Sequence, residues 1–115
     1  MLIRVDPGSA VPLFEQLAAC VRSEVLRAAV GPGEKLPSAR ALAETLDINV
    51  HTVLHAYQLL RDEGLIDLRR GRGAVVTERA HNYAGLAQHL PALIAEAKNL
   101  NLSATALAAL IREAY

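Results

Sequence analysis

The chain has 115 residues, 52% of them apolar, which suits one ordinary domain with an appendage and excludes a disordered polymer. Lysine and arginine balance aspartate and glutamate, 12 against 12, so bulk charge supplies no argument for a nucleic-acid partner. The single cysteine, Cys20, excludes an internal disulfide, and three residues after Leu17 on an apolar helical stripe it reads as a buried, inert thiol.

No leader pattern opens the sequence, and no apolar run approaches the roughly 18 residues that span a bilayer. The expectation is a soluble cytoplasmic protein with no membrane partner. Residues 2–11 read as extended and are broken by the turn sequence Asp6-Pro7-Gly8-Ser9. Pro12 suits the first turn of a helix, where its missing amide hydrogen costs nothing. Leu13, Phe14, Leu17, Val21, Val25 and Ala28 then recur at helical spacing and mark one apolar face. Gly31-Pro32-Gly33 stops that helix. Neither this triplet nor Gly71-Arg72-Gly73 has the lysine, threonine and strand-to-helix context of a phosphate loop, so both read as turns.

Ser38 is placed to cap a second helix whose inward side chains are Leu42, Ala43 and Leu46. Asp47-Ile48 makes a short turn, and Asn49 caps a third helix with the stripe Val53, Ala56, Tyr57 and Leu60. Tyr57 belongs to the core by its spacing, with its hydroxyl at the rim. His51, Thr52, His55 and Gln58 point away from much of that stripe. Gly64 after Glu63 predicts a left-handed stop. Leu65, Ile66 and Leu68 then start a strand that Ala74, Val75 and Val76 return. Three of the 12 cations fall in the turn between them, at Arg69, Arg70 and Arg72.

A helix-turn-helix followed by an arginine-rich wing fits a DNA duplex. Its second helix suits the major groove, and its glycine-hinged cationic loop suits the phosphate backbone or minor groove. The expected fold is mainly α with a small β wing: a winged helix-turn-helix over residues 1–77 and a helical dimerisation tail over 78–115.

The tail is poor in charge and repeats leucine and alanine. Leu86, Leu90, Leu93 and Ile94 lie on its first stretch, where Pro91 imposes a kink or a new start; Leu107, Leu110 and Ile111 lie on a last helix capped by Ser103. Two such helices carry more apolar surface than they can hide alone. Burying one leucine-sized side chain is worth about 1.5–3 kcal/mol, so these seven residues are expected to form a homodimer interface. Packing against the chain's own first helix is the alternative.

The stretches PLFEQLAACVRSEV, PGEKLPSARALAETL, HTVLHAYQLLRDEGLI and RRGRGAVV, in that order and spacing, resemble the winged-helix regulators of the GntR type over residues 11–77. The tail LIAEAKNLNLSATALAALIREAY resembles the two-helix C-terminal region of the YtrA subfamily. The resemblance implies a bacterial transcription regulator that lacks its relatives' large ligand-binding domain and dimerises through that tail. It also implies repression of genes through a two-fold double-stranded DNA operator. The implied DNA-binding set is Ser38, Arg40, Asn49, His51, Thr52, His55, Arg70, Gly71 and Arg72. In it Arg40 touches phosphate or a base edge, Thr52 bonds phosphate or packs on a thymine methyl, and Arg72 reaches into a groove from the wing. Many relatives carry arginines where Val50 and Leu54 stand, so their operator does not transfer.

Other chemistry has little footing. His51 and His55 have a chelating spacing but no third ligand nearby in sequence, and no metal or cofactor is expected. The serines lack a histidine–carboxylate arrangement, so an enzyme is not expected. Two alternatives stay open: a protein-interaction module using Val50 and Leu54, and a regulator tuned by a metal on His81 and His89 or by a small-molecule effector.

Overall fold

The structure, a computed structural model, describes residues 3–27, 30–71 and 73–115. Its elements follow in the order α1 (Leu13–Leu26), α2 (Ala39–Leu46), α3 (Val50–Asp62), β1 (Ile66–Arg69), β2 (Gly73–Val76), α4 (Ala80–Ala87), α5 (Leu90–Asn99) and α6 (Ala104–Ala114). They form two compact units, Met1–Ala84 and Gly85–Tyr115.

Helix starts are fixed by side-chain oxygens. Ser38 Oγ accepts from the Ala41 amide at 3.1 Å, Asn49 Oδ1 from His51 at 2.8 Å, and Ser103 Oγ from Ala106 at 3.1 Å, each satisfying an amide with no partner inside its helix. Pro12 stands one position earlier than expected, as the N-cap of α1, where its carbonyl accepts from the Glu15 and Gln16 amides.

In the first unit α3 is the hub. Val53, Ala56 and Leu60 are fully buried, and Tyr57 nearly so, against Leu17, Val21 and Val25 of α1, Leu42 and Ala43 of α2, and Ile66 and Val76 of the sheet. The α2–α3 turn is tight because Asp47 takes a left-handed conformation (φ 55°) and the Ile48 amide reaches back to Ala43 O at 3.0 Å. Tyr57 Oη donates to Pro37 O at 2.7 Å and ties α3 to the start of α2. Burial pushes the phenol up to about 12.

Gly64 ends this layout. Its φ of 80° and the Leu65 amide's bond back to Leu60 O at 3.0 Å make the expected left-handed stop, and a Cβ there would run into the Arg79 guanidinium. The chain then enters an antiparallel hairpin in the register Ile66↔Val76, Asp67↔Val75, Leu68↔Ala74 and Arg69↔Gly73.

Several findings depart from the expectations. Residues 33–36 line the second edge of β2, with the Gly33 amide on Val76 O, Val76 on Glu34 O and Leu36 on Ala74 O at 2.8–2.9 Å. Cys20 is half-buried rather than buried, because it lies on the margin of α1, where its thiol donates to Arg4 O at 3.3 Å. Ala28, assigned to the α1 stripe, lies outside the described residues.

The first unit also runs past Thr77 to Ala84. Ala80 is buried, and Tyr83 Oη donates to Glu63 O at 3.0 Å, fastening the start of α4 to the end of α3.

The second unit carries α5 and α6, joined by a short turn. Pro91 does not kink a continuous helix but falls in the first turn of a new one, α5. Asn101 (φ 59°) turns the chain between α5 and α6, and the Leu102 amide bonds Ala97 O at 2.9 Å. No helix among the described residues is long and apolar enough to cross a membrane.

Candidate nucleic-acid interface

The core-facing stripe of α3 fixes what is left over. Successive helical residues advance by about 100°, so burying Val53, Ala56, Tyr57 and Leu60 leaves His51, Leu54, His55 and Gln58 outside. All four are exposed, whereas Thr52 is half-buried at the edge of the face.

Six of the nine expected contact residues line two hollows on this surface. Asn49, His51, Thr52 and His55 meet Leu13 and Phe14 of α1 around a concavity of about 490 Å³. The His55 ring stacks on Phe14, with centroids 3.8 Å apart and planes within 13°. His55 is thus held by an aromatic face rather than projecting freely. Phe14 counts in the sequence as one more residue of the α1 stripe, and nothing in that periodicity tells that it reaches across to α3.

A second hollow of about 310 Å³ lies between α3, the start of α2 and the wing. Ser38, Leu54, Tyr57, Arg69, Arg70 and Ala74 contribute to it. Arg40 lines neither hollow; it is exposed on the first turn of α2. Gly71 is exposed at the wing tip with φ 80°, a left-handed conformation that glycine takes without strain. Arg72 lies outside the described residues.

Two of these residues have a structural duty besides. The Ser38 and Asn49 oxygens accept amide hydrogens at helix starts, leaving the Ser38 hydroxyl hydrogen and the Asn49 amide hydrogens to face outward partners. The cations also sort into two classes. Arg22, Arg27, Arg61 and Arg69 each pair with a carboxylate at 2.7–3.4 Å, while Arg40 and Arg70 make no ion pair among the described residues.

Val50 corrects the sequence picture of an apolar pair on the exposed helix. It is half-buried and packs on the core, so Leu54 is the large apolar side chain that α3 exposes. Among the described residues, no three histidine, cysteine, aspartate or glutamate side chains are placed to hold a metal ion.

The arrangement matches known proteins. Residues 4–76 fit the family model described as bacterial regulatory proteins, gntR family. The HTH-type transcriptional repressor YtrA of Bacillus subtilis is 40% identical over 79 residues, which are 69% of this chain and 61% of that protein, so the chain spans about three fifths of that relative's length. Among solved structures, a GntR family transcriptional regulator from Listeria monocytogenes superposes with a TM-score of 0.67 at 26% identity, covering 95% of this chain and 98% of its own. YtrA from Sulfolobus acidocaldarius, a GntR-family transcription factor, gives 0.62 at 35% identity, over 76% of this chain and 99% of its own. These relatives bear the names of transcription regulators rather than enzymes, and the chain belongs to the GntR family of bacterial regulatory proteins, with its winged helix-turn-helix inside the matched stretch.

Proposed function

We propose that this protein is a cytoplasmic repressor that binds a two-fold DNA operator as a homodimer, with α3 of each protomer in the major groove. The observation that carries this reading is the exposed face of α3, where His51 and Gln58 stand free of the core and His55 lies stacked on Phe14, while Arg40 and Arg70, without an ion pair among the described residues, lie exposed on the neighbouring α2 and wing. The polar side chains suit base edges and the cations suit phosphates. A chain with no net charge binds duplex through a few placed contacts rather than a broad field.

The second unit supports the dimer. Leu86, Leu90, Leu93, Ile94, Leu110 and Ile111 are exposed and Leu107 is half-buried, so the end of α4, α5 and α6 keep apolar surface uncovered in the single chain. Pairing two copies would cover it and set the half-sites about one helical turn apart, roughly 10–10.5 base pairs.

A gel shift on the DNA upstream of its own gene tests the reading, with wild type, Arg40→Ala and Arg70→Ala at two salt concentrations. Wild type is expected to shift the DNA and to weaken steeply with salt. Each alanine removes one contact per protomer, lowers affinity across sequences and reduces the logarithmic salt slope by about 2 for the dimer. A folded wild-type protein that shifts no DNA, or one indifferent to both arginines, rejects the proposal.

A further inference from the structure

Leu54 occupies the middle of the α3 face that leaves the core. His51 lies three residues before it and Gln58 four after, so the three share one exposed stripe. At 38% exposure it is an apolar side chain set between polar ones. A lone exposed leucine on a protein surface ordinarily needs no explanation. This one is continuous with Ala39, Tyr57 and Leu68 around the 310 Å³ hollow, which Arg69 and Arg70 also line.

Apolar walls with cations beside them match one feature of DNA. Of the groups that base pairs display in the major groove, the thymine 5-methyl is the apolar one; the others are hydrogen-bond donors and acceptors, which leucine cannot pair. A leucine on a groove-facing helix therefore discriminates by covering a methyl group, and wing arginines beside it are placed for the adjoining phosphates.

We infer that Leu54 is a specificity-determining residue that reads a thymine 5-methyl group in each half-site. The inference rests on α3 being the groove helix and adds to it the identity of a base. Its chemistry differs from that of the Thr52 position, where a hydroxyl competes for phosphate.

Uracil lacks only the 5-methyl of thymine, so replacing dT by dU tests the contact without altering base pairing. The probe is a duplex that the 115-residue wild-type chain selects from a random-sequence pool. One dT→dU change opposite Leu54 is expected to weaken wild-type binding about fourfold, and changes in both half-sites about fifteenfold, the size of one methyl group's transfer from water in each. Leu54→Ala and Leu54→Gln bind thymine and uracil duplexes equally, whereas Leu54→Met keeps the uracil penalty. Thermal melting of the variants matches wild type, because the side chain lies outside the core.

A selected half-site with no fixed thymine overturns the inference, as does an equal uracil penalty in wild type and Leu54→Ala. Wild-type protein that selects no sequence at all overturns the operator reading and this inference with it. Retained sequence selection with no uracil effect overturns the Leu54 assignment alone.

Discussion

Leu17, Leu60 and Leu65 of the first unit have no solvent exposure, whereas Leu86 and Leu100 later in the chain are 64% and 73% exposed. The residue type is the same; the difference lies in how many elements surround it. The buried leucines of α1 and α3 are enclosed by three helices and a hairpin, while the second unit has only short helices to offer. In the second unit Ala97 is buried, and α6 buries none of its side chains. One half of the molecule hides most of its large apolar residues by itself, Val11 and Leu54 excepted, and the other presents them. Apolar content therefore measures what a helix must cover, and the number of elements available decides whether a single chain can cover it.

Core truncation should show the largest effect. Leu60→Ala removes a fully buried side chain at the hub, and about 2–5 kcal/mol of stability is expected to go with it, read by denaturant unfolding. The matching change in the other half, Leu110→Ser, should leave the melting of the first unit unchanged and act on association instead. One substitution per protomer removes two side chains from the proposed dimer, and at about 1.5 kcal/mol each the dissociation constant should rise about a hundredfold, measured by analytical ultracentrifugation. If Leu110→Ser lowers unfolding stability as much as Leu60→Ala and leaves the mass unchanged, the contrast between the two halves is broken.

Much of this contrast is legible in the sequence, and what is not has a common cause. Caps, the Asp47 turn, the Gly64 stop and the hairpin follow from local chemistry: a short polar side chain before a helix, a left-handed position, alternation of apolar residues. The contacts missed are those made across the fold. The pairing of residues 33–36 with β2 has no periodicity of its own to betray it. Phe14 and Val50 look alike as apolar residues on helices, yet one reaches across to His55 and the other turns into the core. Fastening α4 to the first unit depends on Tyr83 meeting the Glu63 carbonyl, a pairing of residues 20 apart that no local pattern announces.

Tyr57 sharpens the comparison, because its polar atom is enclosed with the apolar core. The phenol is neutral when protonated, and its value in the folded protein, about 12, lies above the ordinary 10.0. The folded state thus holds this proton more tightly than the unfolded chain does. Its contribution is complete below about pH 10 and is lost as pH rises through about 12; a shift of this size corresponds to about 2–3 kcal/mol. Unfolding free energy should fall over that range in wild type, with a shallower fall in Tyr57→Phe. Equal slopes in the two proteins would mean that Tyr57 is no more enclosed than a surface phenol.

The smallest effect expected comes from the ion pair that joins the hub to α1. Arg22 grips Glu63 with two hydrogen bonds, Nε to Oε1 at 2.9 Å and Nη2 to Oε2 at 2.7 Å. The hydrogen bond to Glu63 is the main reason the guanidinium is raised above its usual value, against the desolvation that lowers it. Both side chains keep about a third of their surface in water, so screening limits the pair to about 1 kcal/mol despite its good geometry. Glu63 also offers its carbonyl to Tyr83, so the pair sits where α1, α3 and α4 converge. A double-mutant cycle of Arg22→Ala and Glu63→Ala should give a coupling near that value, declining in high salt. The same cycle on the exposed neighbours Arg61 and Asp62, 3.3 Å apart through a single contact, should give close to none. Equal coupling in both cycles would show that enclosure by the first unit adds nothing to an ion pair, and that its closure rests on apolar packing alone.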